Sequence, residues 1–228
     1  MGDLAGALAD IVGAQRVLAG EAVPVDYGHD ECLTVEPVVP AAVVRPADTA
    51  QVAAVVSWCD RHRVPVVARG SATGMSGACT PVPDAVVVSF EEMDAIVEID
   101  TANHVAVVQP GVTLAALDEA TAALGLVYPV FPGESSASLG GNVATNAGGM
   151  RAVKYGVTRH HVLGLEAVLA DGSVIRTGGK VVKTSSGYDL TQLLVGSEGT
   201  LALITEVTVK LHPRPSERAT ILAPFATL

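Results

Sequence analysis

The sequence predicts an α+β protein made of two α+β subdomains, and three observations carry that expectation. Hydrophobic residues form 49% of the 228-residue chain but aromatics only 4%. The core must therefore come from Val, Ala and Leu, which favours layered helix-on-sheet packing over an aromatic-rich sandwich. Residues 41–69 read strand, helix, strand, the right size for a parallel pair with a crossover connection. Further on, Asp171-Gly172 lies between two apolar runs as a hairpin signal, and a long alternating strand follows. A change of character near residue 112 or 125 divides the chain into an N-terminal helical segment (1–25), a first subdomain (26–111), a second (112–215) and a linker start (216–228).

The elements follow in order. Residues 3–19 place Leu4, Leu8, Ile11, Val12 and Gln15 at helical spacing, which predicts an N-terminal helix. Prolines keep "YGHDECLTVEPVVP" irregular, and "AAVVRP" is a short strand. "DTAQVAAVVSWCDRHR" is a helix capped by Asp48 or Thr49, with Val52, Val55, Val56 and Cys59 facing inward. "VPVVARG" is a buried strand. Strands "AVVVSF", "AIVEID" and "HVAVVQPG" come next, the last two joined by a hairpin, and "TLAALDEATAALG" is an amphipathic helix. The stretch "VFPGESSASLGGNVATNAGGMRAVKYG" reads as loop, rich in Gly, Ser, Asn and Thr. "VLGLEAVLADGSVIRTGG" makes the hairpin, "DLTQLLVG" a short helix and "TLALITEVTVKLHP" the alternating strand.

Bulk properties exclude several roles. A net charge of −10 argues against nucleic acid as a partner, because neutralising phosphates needs a basic surface. No apolar run is long enough to cross a bilayer, and no basic segment precedes an apolar one at the N-terminus. The three cysteines, Cys32, Cys59 and Cys79, are odd in number and widely spaced, which suits a reducing cytoplasm and neither a disulfide framework nor a zinc site. His160-His161 has no acidic or cysteine partner at ligand spacing and reads as a loop pair, so no metal is expected.

Two glycine-studded stretches nearly free of charge carry the chemistry. In "ARGSATGMSGA" the glycines Gly70, Gly74 and Gly77 permit φ > 0 and close approach, and Ser71, Thr73 and Ser76 add hydroxyls. Such a turn after a strand can aim successive backbone N–H groups into one anion-binding concavity, and a pyrophosphate is its natural guest. Neither G-x-G-x-x-G nor a P-loop occurs: no two glycines are separated by a single residue, and no glycine run ends in Gly-Lys-Ser or Gly-Lys-Thr. The second stretch, "SLGGNVATNAGG", sets Gly140, Gly141, Gly148 and Gly149 around Asn142, Thr145 and Asn146. Its backbone could touch a flat or phosphorylated ligand while amides and hydroxyl bond the polar edges. Third, Glu198 sits between Gly196 and Gly199 ahead of a strand, where carboxylate or backbone could face a ligand.

With these residues the chain resembles the FAD-binding (PCMH-type) domain of the vanillyl-alcohol oxidase superfamily. It is most similar there to the FAD-linked 2-hydroxyacid oxidases: the glycolate oxidase FAD subunit and the D-lactate and D-2-hydroxyglutarate dehydrogenases. The matching stretches are "VPVVARGSATGMSGA", "VQPGV", "PGESSASLGGNVATNAGGMRAVKYG", "VLGLEAVLADGSV", "SSGYDLTQLLVGSEGTLALITEVTVKL" and "HPRP", in family order over residues 26–226. The resemblance implies a small parallel or mixed N-terminal sheet and a larger mixed or antiparallel one, with FAD between them. It implies that the loop matching Arg69, Gly70, Ser71, Ala72, Thr73, Gly74, Met75 and Ser76 wraps the pyrophosphate. Pro132, Gly133, Ser138, Gly140, Gly141, Asn142, Thr145, Gly148, Gly149 and Tyr155 would lie along the flavin, ribityl chain and phosphates. Glu198, Gly199 and Ile204 would close over the cofactor. Relatives that tether FAD use a His or Cys at set positions; this loop has no His and Cys79 lies just past it, so the FAD is expected to be non-covalent. Ala72, Ala78 and Ala202 stand where relatives often carry glycine, and Ala72 would cost on the order of 1 kcal/mol if its position needs φ > 0.

The same resemblance implies an oxidoreductase that moves a hydride from C2 of a D-2-hydroxyacid to flavin N5 and passes electrons to a quinone or a carrier protein. In relatives a cap domain holding substrate and base follows the strand matching "ERATILAPFATL"; the chain stops there, so the fragment alone is expected to be inactive and its catalytic base stays unassigned. The implied location is the cytoplasm, with peripheral membrane association through the acceptor. The oligomeric state, a homodimer included, stays open. So do two other readings: a same-fold oxidase of an alcohol, sugar or ether-lipid precursor, and a flavin-binding module without catalysis.

Overall fold

A computed structural model of the chain describes residues 4–217 and 219–227. Helix α1 (Leu4–Val12) buries Leu8 and Val12. It stops at Gly13, whose φ of 89° lies outside the right-handed helical region. The helix expected over 3–19 is therefore shorter than its apolar spacing suggests. A 3-10 turn at Ala14–Arg16 leads instead into strand β1 (Val17–Ala19); Asp3 lies outside the described residues.

Strand β2 (Ala42–Val44), helix α2 (Thr49–His62), and strands β3 (Val66–Arg69) and β4 (Val86–Ser89) complete the first unit. Asp48 caps α2 by accepting from the Gln51 amide at 2.9 Å, while the Ala47 amide donates to Gln51 Oε1 at 2.8 Å, so two otherwise unpaired amides are satisfied. The buried stripe is Val52, Val55, Val56 and Cys59, as the spacing predicts. Arg63, left-handed at φ 54°, ends the helix.

Strand order is β1-β2-β4-β3, with β2 and β3 each parallel to β4 and β1 antiparallel to β2. The two strands of the 41–69 unit are thus not neighbours. β4 is buried throughout, whereas β3, expected to be buried, is only half-buried. The centre of a parallel sheet goes to the strand that is apolar on both faces.

The second unit runs β5 (Ile96–Asp100), β6 (Val105–Val108), α3 (Leu114–Ala122), β7 (Leu126–Val127), α4 (Leu139–Thr145), α5 (Ala152–Tyr155), β8 (Val162–Leu169), β9 (Val174–Gly178), α6 (Leu190–Leu194), β10 (Ala202–Lys210) and β11 (His212–Pro213). An antiparallel sheet has the order β5-β6-β10-β8-β9. β10 is its middle strand and is buried along nearly its whole length instead of alternating. Ile204, Val207 and Val209 join the core with Leu117, Leu139 and Val143, while Leu203 and Val168 pack with the residues of α2. Helix α2 therefore lies between the two sheets and welds them.

The sheets divide between Ser89 and Ile96, not at residue 112. β6 pairs with β10, a partner remote in sequence, so local composition does not mark the boundary. Likewise β1, within the 1–25 segment, belongs to the first sheet. The strand expected over 217–228 is absent among the described residues 219–227, and Arg218 and Leu228 lie outside them. Among the described residues no helix is long and apolar enough to cross a membrane.

Candidate functional site

The connection from β3 to β4 carries the first glycine-rich stretch. β3 ends at Arg69, whose Nη1 donates to the His29 carbonyl at 2.7 Å and whose guanidinium lies 5.2 Å from the Tyr27 ring centre. At Gly70 any Cβ would run into Ser138 Oγ. Ser71 and Ser138 bond reciprocally: the Ser138 amide donates to Ser71 Oγ at 2.5 Å and the Ser71 amide to Ser138 Oγ at 3.3 Å. Two stretches 67 residues apart in sequence are stitched together there. Ala72 adopts φ 54°, the left-handed conformation that makes an alanine costly. The Gly74 carbonyl accepts from the Glu31 amide at 2.9 Å, which brings the irregular segment before β2 underneath the loop.

The second stretch is not a loop. Ser138 caps helix α4 by accepting from the Gly141 amide, and Asn146, left-handed at φ 50°, ends it. Leu139 and Val143 anchor the helix in the core. Gly140 touches Pro110 so closely that a Cβ would stand 2.5 Å from the proline Cβ. Glycine content suggests loop; here the glycines serve close packing of a short helix on its neighbours.

The two stretches face each other across a cleft of about 550 Å³. Gly70, Ser71, Ala72, Thr73, Gly74, Met75 and Ser76 form one wall; Pro132, Ser138, Gly141, Asn142, Thr145, Gly148, Gly149 and Glu198 line the rest. Gly140, Gly199 and Ile204 instead line an adjoining apolar slot of about 70 Å³, shared with Ala68, Ala144 and Ala202. Cys79 and Glu198 border both spaces. Arg69 faces a separate cavity behind Gly70. Tyr155 stands apart, its ring 5.6 Å from that of His212. Gly133, at φ 110°, turns the chain toward α4.

Sequence reasoning missed Asp30, Glu134 and Ala147 on the cleft wall. Asp30 arrives through the Glu31–Gly74 bond, for which the irregular segment around it gives no signal. The expected loop pair is also different: His160 Nδ1 accepts from the Val157 amide, but His161 is buried and donates from Nε2 to the Tyr155 carbonyl at 2.9 Å. Neither histidine lines the cleft.

The charged side chains of the cleft, Asp30, Glu134 and Glu198, are all acidic. An anionic guest must therefore be held by backbone. Among the described residues, the consecutive amides of 72–76 donate to no acceptor in the chain. Asn142, buried on the α4 side of the cleft, has an Nδ2 with no partner. A row of free N–H groups, glycines with no room for Cβ and one orphaned amide donor match a phosphorylated ligand with polar edges. Burial raises the Cys79 thiol above its ordinary pKa, so it stays protonated at neutral pH.

Two α+β units gripping such a cleft define a dinucleotide-binding domain. The chain belongs to the FAD binding domain family, whose model matches residues 40–178. It is 58% identical over 226 residues to an uncharacterized FAD-linked oxidoreductase of Mycobacterium tuberculosis, covering 99% of this chain and 49% of that protein. It is 47% identical over 186 residues to a D-lactate dehydrogenase of Archaeoglobus fulgidus, covering 82% of this chain and 42% of that one. Its fold is that of p-cresol methylhydroxylase, with a TM-score of 0.82 at 24% identity over 93% of this chain and 43% of that one. The chain thus spans about half the length of these relatives.

Proposed function

We propose that the chain is the cofactor half of a flavin-dependent dehydrogenase oxidising a D-2-hydroxyacid of glycolate, lactate or 2-hydroxyglutarate type. The observation that carries the reading is the meeting of both glycine-rich stretches in one cleft, with free amides on one wall and Asn142 on the other. The names of the relatives supply the substrate class. FAD, when bound, supplies a two-electron acceptor for the hydride leaving the substrate carbon.

The amides of 72–76 would hold its diphosphate, which the bare cleft otherwise repels through Asp30, Glu134 and Glu198. Asn142 would donate to a polar edge, and Gly148 and Gly149 would let backbone lie against the rings. Gly149 has φ 147°, and a Cβ there would strike the Phe131 carbonyl. Attachment is non-covalent in this reading, because the half-buried Cys79 thiol is held protonated and, among the described residues, no histidine lines the cleft. The other half of such a protein would hold the substrate carboxylate and the base, with a quinone or a carrier protein taking the electrons.

The test is an FAD titration followed by absorbance, then a panel of D- and L-hydroxyacids on the full-length protein. Saturable one-to-one binding and bleaching by one D-hydroxyacid are expected. No spectral change on adding FAD overturns the cofactor assignment. Binding without bleaching by any hydroxyacid overturns the substrate class.

A further inference from the structure

One carboxylate oxygen on the cleft wall has nothing to accept from. Asp30 lines the cleft and is only 5% exposed. Its Oδ1 accepts from the Cys32 amide at 3.0 Å, which ties that oxygen into a short turn. Among the described residues its Oδ2 is buried and has no hydrogen-bond partner. Leaving a buried carboxylate oxygen unpaired costs more than the hydrogen bond it forgoes, so the position suits a donor that arrives with a ligand.

The place of that oxygen is set by the loop. Asp30 precedes Glu31, whose amide donates to the Gly74 carbonyl at 2.9 Å. A Cβ built at Gly74 would meet a single atom within 4 Å, Asp30 Oδ2 at 3.9 Å. The φ of Gly74 is not positive, so its missing side chain opens space there without being demanded by the turn. Gly74 is also the middle residue of the free amides 72–76. A diphosphate held by those amides can offer Oδ2 nothing, because both groups only accept. What adjoins a diphosphate in FAD can: the ribose on one side and the ribityl chain on the other both carry hydroxyl donors.

We propose that Asp30 accepts a hydrogen bond from a sugar hydroxyl adjoining the FAD diphosphate. The assignment rests on the FAD reading above and deepens it. Carboxylates bind ribose hydroxyls in this way in other dinucleotide folds. The sign of the effect separates an acceptor from a bystander. As a mere neighbour of the diphosphate, Asp30 opposes binding through its charge, and removing it tightens FAD. As an acceptor it favours binding, and removing it weakens FAD.

The experiment is FAD titration of the full chain stripped of cofactor, read by flavin fluorescence, with ADP and FMN as competitors. Asp30→Ala removes the acceptor and is expected to weaken FAD about ten- to hundredfold, the worth of a hydrogen bond to a charged group. Asp30→Asn keeps an oxygen for the Cys32 amide, and with it the turn, and offers the hydroxyl an uncharged partner. A smaller loss, about three- to tenfold, is expected of it. A penalty that ADP shares and FMN does not places the hydroxyl on the ribose; the reverse places it on the ribityl chain. An equal penalty on both competitors means a disturbed diphosphate site and overturns the assignment. So does either variant binding FAD as tightly as the wild type, or more tightly. A wild-type chain that binds no FAD removes the cofactor reading itself, and this role of Asp30 with it.

Discussion

A methyl group at Gly70 would collide with Ser138 Oγ and break the reciprocal Ser71–Ser138 bonds. Gly70→Ala is therefore expected to lower stability by about 1–3 kcal/mol and to weaken FAD binding at least tenfold, measured by urea denaturation and flavin titration. Ala72 gives the opposite case. Its φ of 54° costs an alanine about 1–2 kcal/mol, and glycine's extra chain entropy returns only part of that. Ala72→Gly is expected to stabilise the chain by up to about 1 kcal/mol, and a destabilised variant would contradict the strain. His161 is a third residue-scale device. Burial first, then the neighbouring His212, His160 and Lys210, depress its pKa from 6.5 to about 4. The native state keeps it neutral while the unfolded chain protonates, so stability is full above pH 6.5 and falls as pH drops from 6.5 toward 4. His161→Phe is expected to flatten that slope in denaturation curves taken across this window. At this scale legibility followed side-chain chemistry. The glycines and hydroxyls of the loop were readable because backbone freedom is written in residue type. Asp30 was not, because a carboxylate's place in a cleft depends on where an irregular segment is tied.

Helix α4 teaches the same at the next scale. Residues 139–145 hold two glycines and two polar residues, an unpromising helix by propensity. It forms because Ser138 caps it, Leu139 and Val143 are buried, and Gly140 fits against Pro110. Ser138→Ala removes the cap and the acceptor for the Ser71 amide together. A loss of about 1–2 kcal/mol in stability is expected, with weaker FAD binding because both walls of the cleft lose their shared anchor. Stability lost with FAD affinity intact would separate the helix from the site. By contrast α2 was legible in its apolar stripe and in its cap to within one residue, Asp48 or Thr49, since the cap and the stripe all lie within the helix or at its end; the structure gives the cap to Asp48. Strand order was not: β4 enters between β2 and β3 after a long loop, a fact that only the relative burial of the strands decides.

Across the whole molecule the cleft exists only because two units dock, and α2 is the shared layer. Glu166 on β8 is 8% exposed, yet it accepts from Thr49 Oγ1 on α2 at 2.5 Å and from Thr205 Oγ1 on β10 at 3.1 Å, and it pairs with Arg176 on β9. Nearby, the β8–β9 turn presses Gly172 against Ser57 of α2, where a Cβ would stand 2.6 Å from the serine Cβ. Removing the carboxylate with Glu166→Ala leaves the buried Thr205 hydroxyl and the half-buried Thr49 hydroxyl without an acceptor, at a cost of about 2–4 kcal/mol. If docking of the units shapes the cleft, the same variant weakens FAD binding although Glu166 is no part of the cleft wall. Saturating FAD then restores much of the lost stability, since ligand at a hundred times Kd adds about 2.7 kcal/mol to whichever state binds it. Urea denaturation of both chains, with and without FAD, reads all three quantities. A Glu166→Ala chain with wild-type FAD affinity would mean that the walls hold their spacing without the α2 weld, and the two units would have to be treated as independent.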